Sequence, residues 1–486
     1  MASKLSLKGR TFIAVRWTAL SSIVRGVVQL AQIAILARLL AHEDFGLMAI
    51  VWVILGITSI LVDSGIGAAY LQRKIVTTEQ RSSLFWLNVA TGAFLSLLLG
   101  ALSPFMASFF EDQRLAPLLL LSASILFINS LSLQIRWNAE KNLDFRMLSL
   151  IDIPTVVIGL VVAVSFAIYG YGVYSFVFGA IVTSILGAIL TWWLISEGWR
   201  PLWRFRIEDV TSFLSFGVPL VISTIVSQLA TGIDLLIGGR MLTAAQLGLY
   251  SVPRNLVIQI QTLLGLIVGR VGFPLIAQVQ EDIPQVRSIL LRTQNLVASI
   301  CAPLFVSVSF YANDVVLIAL GDGWDNSVDV LQVLAVWGLF RITAAPDASL
   351  TLGMGRSGLL LKWSLFMLLI LPPTIWVGFY YYGTIGASWA LLIFFSIMPL
   401  LRWATFVKPL CNVRLIDYLM SFMKPFLLAF FAVFSSYIVA IQFEGAIIHL
   451  LMGIIIAAPL YILISFKFNP KCTAEIMQLI GLKRLG

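Results

Sequence analysis

Arg38-Leu39-Leu40-Ala41-His42-Glu43-Asp44-Phe45-Gly46-Leu47 closes one apolar run and opens the next. Arg240-Met241-Leu242-Thr243-Ala244-Ala245-Gln246-Leu247-Gly248-Leu249 repeats the device 202 residues later. Each copy is an arginine, a short polar elbow and a Gly-Leu pair at a helix start. One offset joins Arg38 to Arg240 and Gly46 to Gly248, so the chain reads as two copies of one membrane unit. On this reading residues 1–205 form a first lobe with helices 1–6 and residues 206–410 a second lobe with helices 7–12. Residues 411–486 add helices 13 and 14 and a tail.

Composition agrees with a bilayer as the solvent. The chain is 60% hydrophobic and 11% charged, with mean hydropathy +0.98, where a soluble domain carries about 25% charged residues. A spanning helix needs roughly 20 apolar residues. Such runs fall near 14–38, 45–69, 84–109, 117–135, 147–168, 173–196, 212–238, 247–270, 289–310, 329–350, 362–382, 385–406, 424–441 and 446–466. The runs are continuous and do not alternate with period two. They predict an all-α integral membrane protein of about 14 transmembrane helices, not a barrel.

The net charge of +9 is distributed one-sidedly. With the N-terminus inside, the cytoplasmic segments collect Lys4 to Arg10, Arg73, Lys74, Arg81, Arg136, Lys141, Arg146, Arg200, Arg204, Arg206, Arg402, Lys408 and the basic C-terminal tail. The outer loops collect acids such as Glu43, Asp44, Glu111, Asp112 and Asp322. This positive-inside pattern predicts both termini in the cytoplasm and puts the basic excess at anionic membrane lipids, not at nucleic acid. The connection 311–328 is expected outside, with Ser327 as its labelling position. The first run contains Arg16 and Arg25 and lacks a small-residue cleavage site, so it is expected to remain as helix 1. No disulfide is expected from Cys301, Cys411 and Cys472.

Several chemistries are missing. Gly353-Met354-Gly355-Arg356-Ser357-Gly358 has no lysine where a phosphate-cradling loop needs one. His42 and His449 have no second His, Cys or acid at zinc spacing. The acidic stretch Asp322 to Asp329 lacks the glycine and glutamate of a calcium loop and reads as a solvated outer turn. No cofactor is expected. A membrane glycosyltransferase or polymerase is the reading from a different class, but no outer connection is long enough to house an acceptor site.

Six arginines remain within the apolar runs: Arg16, Arg25, Arg38, Arg254, Arg270 and Arg341. Arg16, Arg38 and Arg270 can snorkel from helix ends. Arg25, Arg254 and Arg341 lie deeper, where a guanidinium costs at least ~2.5 kcal/mol on insertion scales. On helix 1, Thr18, Ser21, Ser22, Arg25, Gln29 and Gln32 share one face. Helix 7 repeats the stripe through Ser227, Gln228, Thr231 and Asp234, and the 202-residue offset superposes Gln32 on Asp234. Helix 8 contributes Arg254, Asn255, Gln259 and Gln261. Two readings stand: polar side chains joining helices, or a wet, anion-attracting cleft between the lobes, which the arginines favour. Asp234 is a candidate for ion coupling or for a salt bridge to a cavity arginine. Only Asp234 and Asp347 oppose the deep arginines, so the balance is cationic.

Further segments carry a family resemblance. They are Ala37-Arg38-Leu39-Leu40 through Asp44-Phe45-Gly46, Asp63-Ser64-Gly65 through Ala69-Tyr70-Leu71-Gln72-Arg73-Lys74, and Asn142-Leu143-Asp144-Phe145-Arg146. Gly170-Tyr171-Gly172-Val173-Tyr174, Gly238-Gly239-Arg240, Phe273-Pro274-Leu275-Ile276-Ala277 and Leu320-Gly321-Asp322-Gly323-Trp324 follow. In this order the chain resembles the Wzx-type flippases, the polysaccharide-transporter branch of the multidrug/oligosaccharidyl-lipid/polysaccharide exporters, over roughly residues 10–410. The resemblance implies two six-helix lobes related by a pseudo-two-fold axis, a bacterial inner-membrane location and alternating access. It implies a polyprenyl-pyrophosphate-linked oligosaccharide as cargo, for exopolysaccharide, capsule or O-antigen synthesis, with a polysaccharide polymerase and chain-length machinery as further partners. Arg25, Arg254 and Arg341 would then hold pyrophosphate, and Gln29, Gln32, Asn255, Gln259 and Gln261 the sugars. A peptidoglycan-precursor flippase or a drug antiporter of the same superfamily is the alternative.

Overall fold

In lipid, a backbone that leaves its polar groups unpaired is too costly to persist, so apolar runs of this length fold as helices. The computed structural model describes residues 7–479; the side chains of Arg270 and of the basic residues at both ends lie outside the described ones. In the first half run α1 (Leu7–Ala37), α2 (His42–Asp63), α3 (Ile66–Gln72), α4 (Thr78–Phe109), α5 (Leu115–Lys141), α6 (Phe145–Ile168), α7 (Tyr174–Ile195), α8 (Ile207–Met241) and α9 (Ala244–Gln278). Then follow α10 (Ile283–Phe310), α11 (Ala312–Ala319), α12 (Val328–Ile342), α13 (Ala345–Gly353), α14 (Ser357–Arg402), α15 (Lys408–Cys411), α16 (Leu415–Ala440), α17 (Ala446–Phe468) and α18 (Pro470–Leu479). No strand occurs among the described residues. Leaving α9 aside, the described residues hold twelve helical stretches long and apolar enough to cross a bilayer, one of them running through α12 and α13, so the protein is a multi-pass membrane protein.

One of those twelve is double. α14 leaves helical geometry at Tyr382 and Gly383, the latter with φ 58°. Four or so residues to either side, the backbones of Gly378 and Gly386 press against each other so closely that a Cβ on either would overlap the other's carbonyl. In a straight helix these residues stand about 12 Å apart. The chain therefore reverses at Gly383, which separates the two apolar runs expected at 362–382 and 385–406.

The chain forms two compact units, residues up to Gly248 and residues from Leu249 on. In the first, α4 pairs with α5, α6 with α7, α1 with α6, and α2 with α8. Ile50 meets Gly239, Val53 meets Gly232, Gly56 meets Gln228, and Gly65 meets Gly217. The order is reversed along α8, so the two helices are antiparallel along all of α2. α2 stops where Ser64 (φ 50°) and Gly65 (φ 63°) both turn left-handed. At this end, which carries the bases Arg73, Lys74 and Arg81, Ile66, Tyr70, Leu84, Trp137, Val210 and Phe213 pack as one core. The opposite, acidic end carries Glu43, Asp44, Glu111 and Asp112.

In the second unit α10 packs on α12 and α16, α16 on α17, and α12 on α14. The turn expected to be solvated at 322–329 is only partly so. Trp324 is 1% exposed and Ser327 fully buried, its hydroxyl donating to the Leu249 carbonyl at 2.9 Å. A 3-10 turn over Asp325–Ser327 folds these two side chains inward and leaves Asp322, Asp325 and Asn326 outside.

Candidate functional site

α1 packs against α6, and from its polar stripe Arg25 reaches the one charge in the apolar run of α6, Asp152. Its carboxylate is shared: Oδ2 accepts from Arg25 Nη2 on α1, and Oδ1 accepts from Arg136 Nη2 on α5 at 2.7 Å. Pro154 interrupts α6 two residues on, and the Thr155 hydroxyl donates to the carbonyls of Ile151 and Asp152, both at 3.0 Å. The three charged groups line a cavity of about 350 Å³ inside the first unit, with Asp63, Ser59, Asn129, Ser132 and Thr183 in its wall. Asp63 already accepts the backbone N–H groups of Gly65 and Gly67. Ligand pockets run from about 300 to 1,000 Å³, so this one lies at the small end of that range.

Arg25 has a 45% exposed side chain, against 23% for Arg136 and 13% for Asp152. The pair is therefore open to the cavity. Gln29 is exposed and Gln32 half-buried on the same helix, and neither lines this cavity. Asp234 on α8 is 2% exposed and engaged, not free.

The remaining expected residues lie in the second unit. Arg254 is 4% exposed and also engaged; Asn255 and Gln259 beside it are half-buried. Two turns along α9, Gln261 receives a hydrogen bond from Arg341 Nη1 at its Oε1 and donates through Nε2 to the Gly338 carbonyl at 2.7 Å. Arg341 also lies over the Trp337 ring at 5.5 Å. The amide of Gln261 is thus committed at both ends to α12, where it orients Arg341.

Three charge clusters escaped the sequence reading. The positive-inside pattern puts Arg136 in a cytoplasmic segment, but α5 continues to Lys141 and keeps Arg136 in the cavity wall. The sequence reading sets only Asp234 and Asp347 against the deep arginines, whereas the acid that pairs with Arg25 is Asp152; a lone acid in an apolar run is the signal that marks it. Arg402, also assigned to a loop, is 3% exposed. Its Nε lies 3.1 Å from Asp347 Oδ2, which also accepts the Tyr418 hydroxyl at 2.7 Å. Asp347 thus opposes Arg402 instead of a deep arginine. In the first turn of α17, His449 Nδ1 lies 2.6 Å from Asp314 Oδ2, an acidic neighbour 135 residues away.

Residues 35–329 match the family described as polysaccharide biosynthesis protein. The chain is similar to the lipopolysaccharide biosynthesis protein WzxC of Escherichia coli (strain K12), 26% identical over 91% of this chain and 90% of that protein. It is also 26% identical to the teichuronic acid biosynthesis protein TuaB of Bacillus subtilis (strain 168), over 95% and 96%. Among solved structures, the lipid II flippase MurJ in an inward closed conformation shares the fold. Its TM-score is 0.76 at 14% identity, covering 95% of this chain and 99% of that one.

Proposed function

Because the chain belongs to the polysaccharide biosynthesis protein family, we propose that it carries a polyprenyl-pyrophosphate-linked oligosaccharide from the inner to the outer leaflet of the cytoplasmic membrane. It does so by alternating access, without covalent chemistry. The single observation that carries this reading is the cavity whose wall holds both Arg25 and Arg136. Planar guanidiniums match phosphate oxygens in pairs, and an ammonium does not. Arg254 and Arg341 supply further cationic groups in the second unit, with Asn255 and Gln259 for sugar hydroxyls. The lipid tail stays in the bilayer.

A cationic drug as cargo is less well matched. Asp152 faces two arginines and Asp347 faces Arg402, so a cation entering beside either carboxylate would displace a guanidinium first.

We read fourteen spans, counting the twelve, dividing one of them at Gly383 and adding α9. The acidic end faces outward and both termini the cytoplasm, in the sense of the positive-inside rule. Lobes at 1–205 and 206–410, followed by the helices of 411–486, follow the repeat. A polymerase and chain-length machinery at the outer face receive the cargo. With the cell interior negative, outward movement of each net negative charge gains about 2.3 kcal/mol per 100 mV, so the step needs no nucleotide. Asp234 is the candidate coupling residue.

Reconstitution tests this directly. In proteoliposomes the full-length protein should expose a lipid-linked oligosaccharide to an external glycan-modifying enzyme faster than protein-free vesicles do. Equal rates would remove the proposal.

A further inference from the structure

The first unit contains a carboxylate placed where a phosphate would be expected to sit. We propose that Asp152 is a built-in competitor: it contends with the cargo's pyrophosphate for the guanidiniums of Arg25 and Arg136 and so sets how tightly the cargo is held. The inference rests on the cavity reading above and deepens it.

The geometry of the trio is the first argument. Asp152 does not fork onto one arginine. Each of its oxygens takes one Nη2 from a different helix, which is how a phosphate bridges two arginines. A guanidinium has five N–H donors, so each arginine keeps donors for a second acceptor.

A comparison within the same chain supplies the second argument. Asp347 and Arg402 are 1% and 3% exposed, and the Tyr418 hydroxyl closes the pair. That is the form of an ion pair that only joins helices. Arg25, 45% exposed, instead leaves the other trio accessible from the cavity.

Charge supplies the third. Arg25 and Arg136 against Asp152 and Asp63 bring the cavity walls to formal neutrality. Removing the charge of Asp152 leaves one net positive charge facing an incoming pyrophosphate. A transporter must bind cargo firmly enough to admit it and weakly enough to release it. An internal carboxylate that returns to the arginines as the cargo leaves lowers the release barrier. Asn129 and Ser132 in the same wall offer hydrogen-bond partners for Asp152 when the arginines turn to the cargo.

The test uses the full-length protein in nanodiscs and inorganic pyrophosphate as the probe, read by calorimetry, with export in cells as a second readout. Asp152→Asn should bind pyrophosphate about tenfold more tightly than the wild type and export more slowly, because release becomes limiting. Arg136→Ala should bind more weakly. An Asp152→Asn protein that is folded but binds no tighter would overturn the proposal and make Asp152 an organiser of the arginines. Asp152→Ser provides the same neutral test if Asn does not fold, and loss of folding in both would equally make Asp152 a structural counter-ion. If neither wild type nor variant binds pyrophosphate, and Arg136→Ala changes nothing, the cavity reading itself fails and this inference with it.

Discussion

Gly46 and Gly248 meet in a reciprocal contact: Gly46 lies against the Ala244 carbonyl, and Gly248 against the His42 carbonyl. The same offset of 202 relates His42 to Ala244 and Gly46 to Gly248. A contact in which i meets j′ and j meets i′ is the signature of a two-fold axis. The capping repeats too. Asp44 Oδ2 accepts the Ala41 N–H at 3.2 Å, and Gln246 Oε1 accepts the Thr243 N–H at 3.2 Å. Before the elbows, the N–H groups of Leu40 and Leu242 bond to Leu36 and Gly238 at 2.9 and 2.8 Å.

Because a Cβ on either glycine would overlap backbone and not a movable side chain, Gly46→Ala and Gly248→Ala should each cost about 1–3 kcal/mol through overpacking. The two losses should be less than additive when combined, since both strain the same contact and one shift of the backbone accommodates both. Thermal unfolding of the detergent-solubilised protein reads this out.

The acidic turn at 322–329 gives a topological test. Asn326 is exposed while Ser327 is fully buried, so Asn326→Cys should react with an impermeant maleimide added outside intact cells, and Ser327→Cys should stay silent. Labelling of Asn326→Cys only after the membrane is opened would reverse the orientation.

Much of this fold was legible because lipid leaves few options, so that apolar runs of this length could only be helices. What escaped was long-range pairing. Nothing local marks Asp152 as the partner of Arg25, 127 residues away, or Asp347 as that of Arg402. Run edges also misled, because α5 carries Trp137 and Arg136 past the end of its apolar stretch. Ser327 and Trp324 read as loop residues because their neighbours are acids.

The buried pair in the second unit should be strongly coupled. Asp347→Ala leaves the Arg402 guanidinium buried without its carboxylate and should cost about 3–5 kcal/mol. Replacing both partners, Asp347→Leu with Arg402→Met, should cost less than either single change. Thermal midpoints of the three variants decide this.

At the acidic end, Arg114 bonds Asp112 at 2.8 Å and holds its carboxyl below the ordinary value of 3.8. A depressed acid stabilises the fold above its unfolded pKa and loses that contribution as pH falls through its folded pKa. Arg114 is 53% exposed, so screening limits the pair to about 1 kcal/mol. Asp112→Asn should therefore lower the thermal midpoint slightly and by a constant amount between pH 5 and 8, as one-unit steps across that range will show. The difference from wild type should vanish only below about pH 4.

The most direct measurement of the central claim is polymer export in a flippase-null strain that produces each variant at wild-type membrane levels. Arg25→Ala, Arg136→Ala and Arg254→Ala should each stop export. The Lys variants should restore only part of it, because an ammonium keeps the charge and loses the paired donors. Export at the wild-type rate from Arg25→Ala and Arg136→Ala would contradict the account, because the cavity guanidiniums would then have no part in holding the cargo.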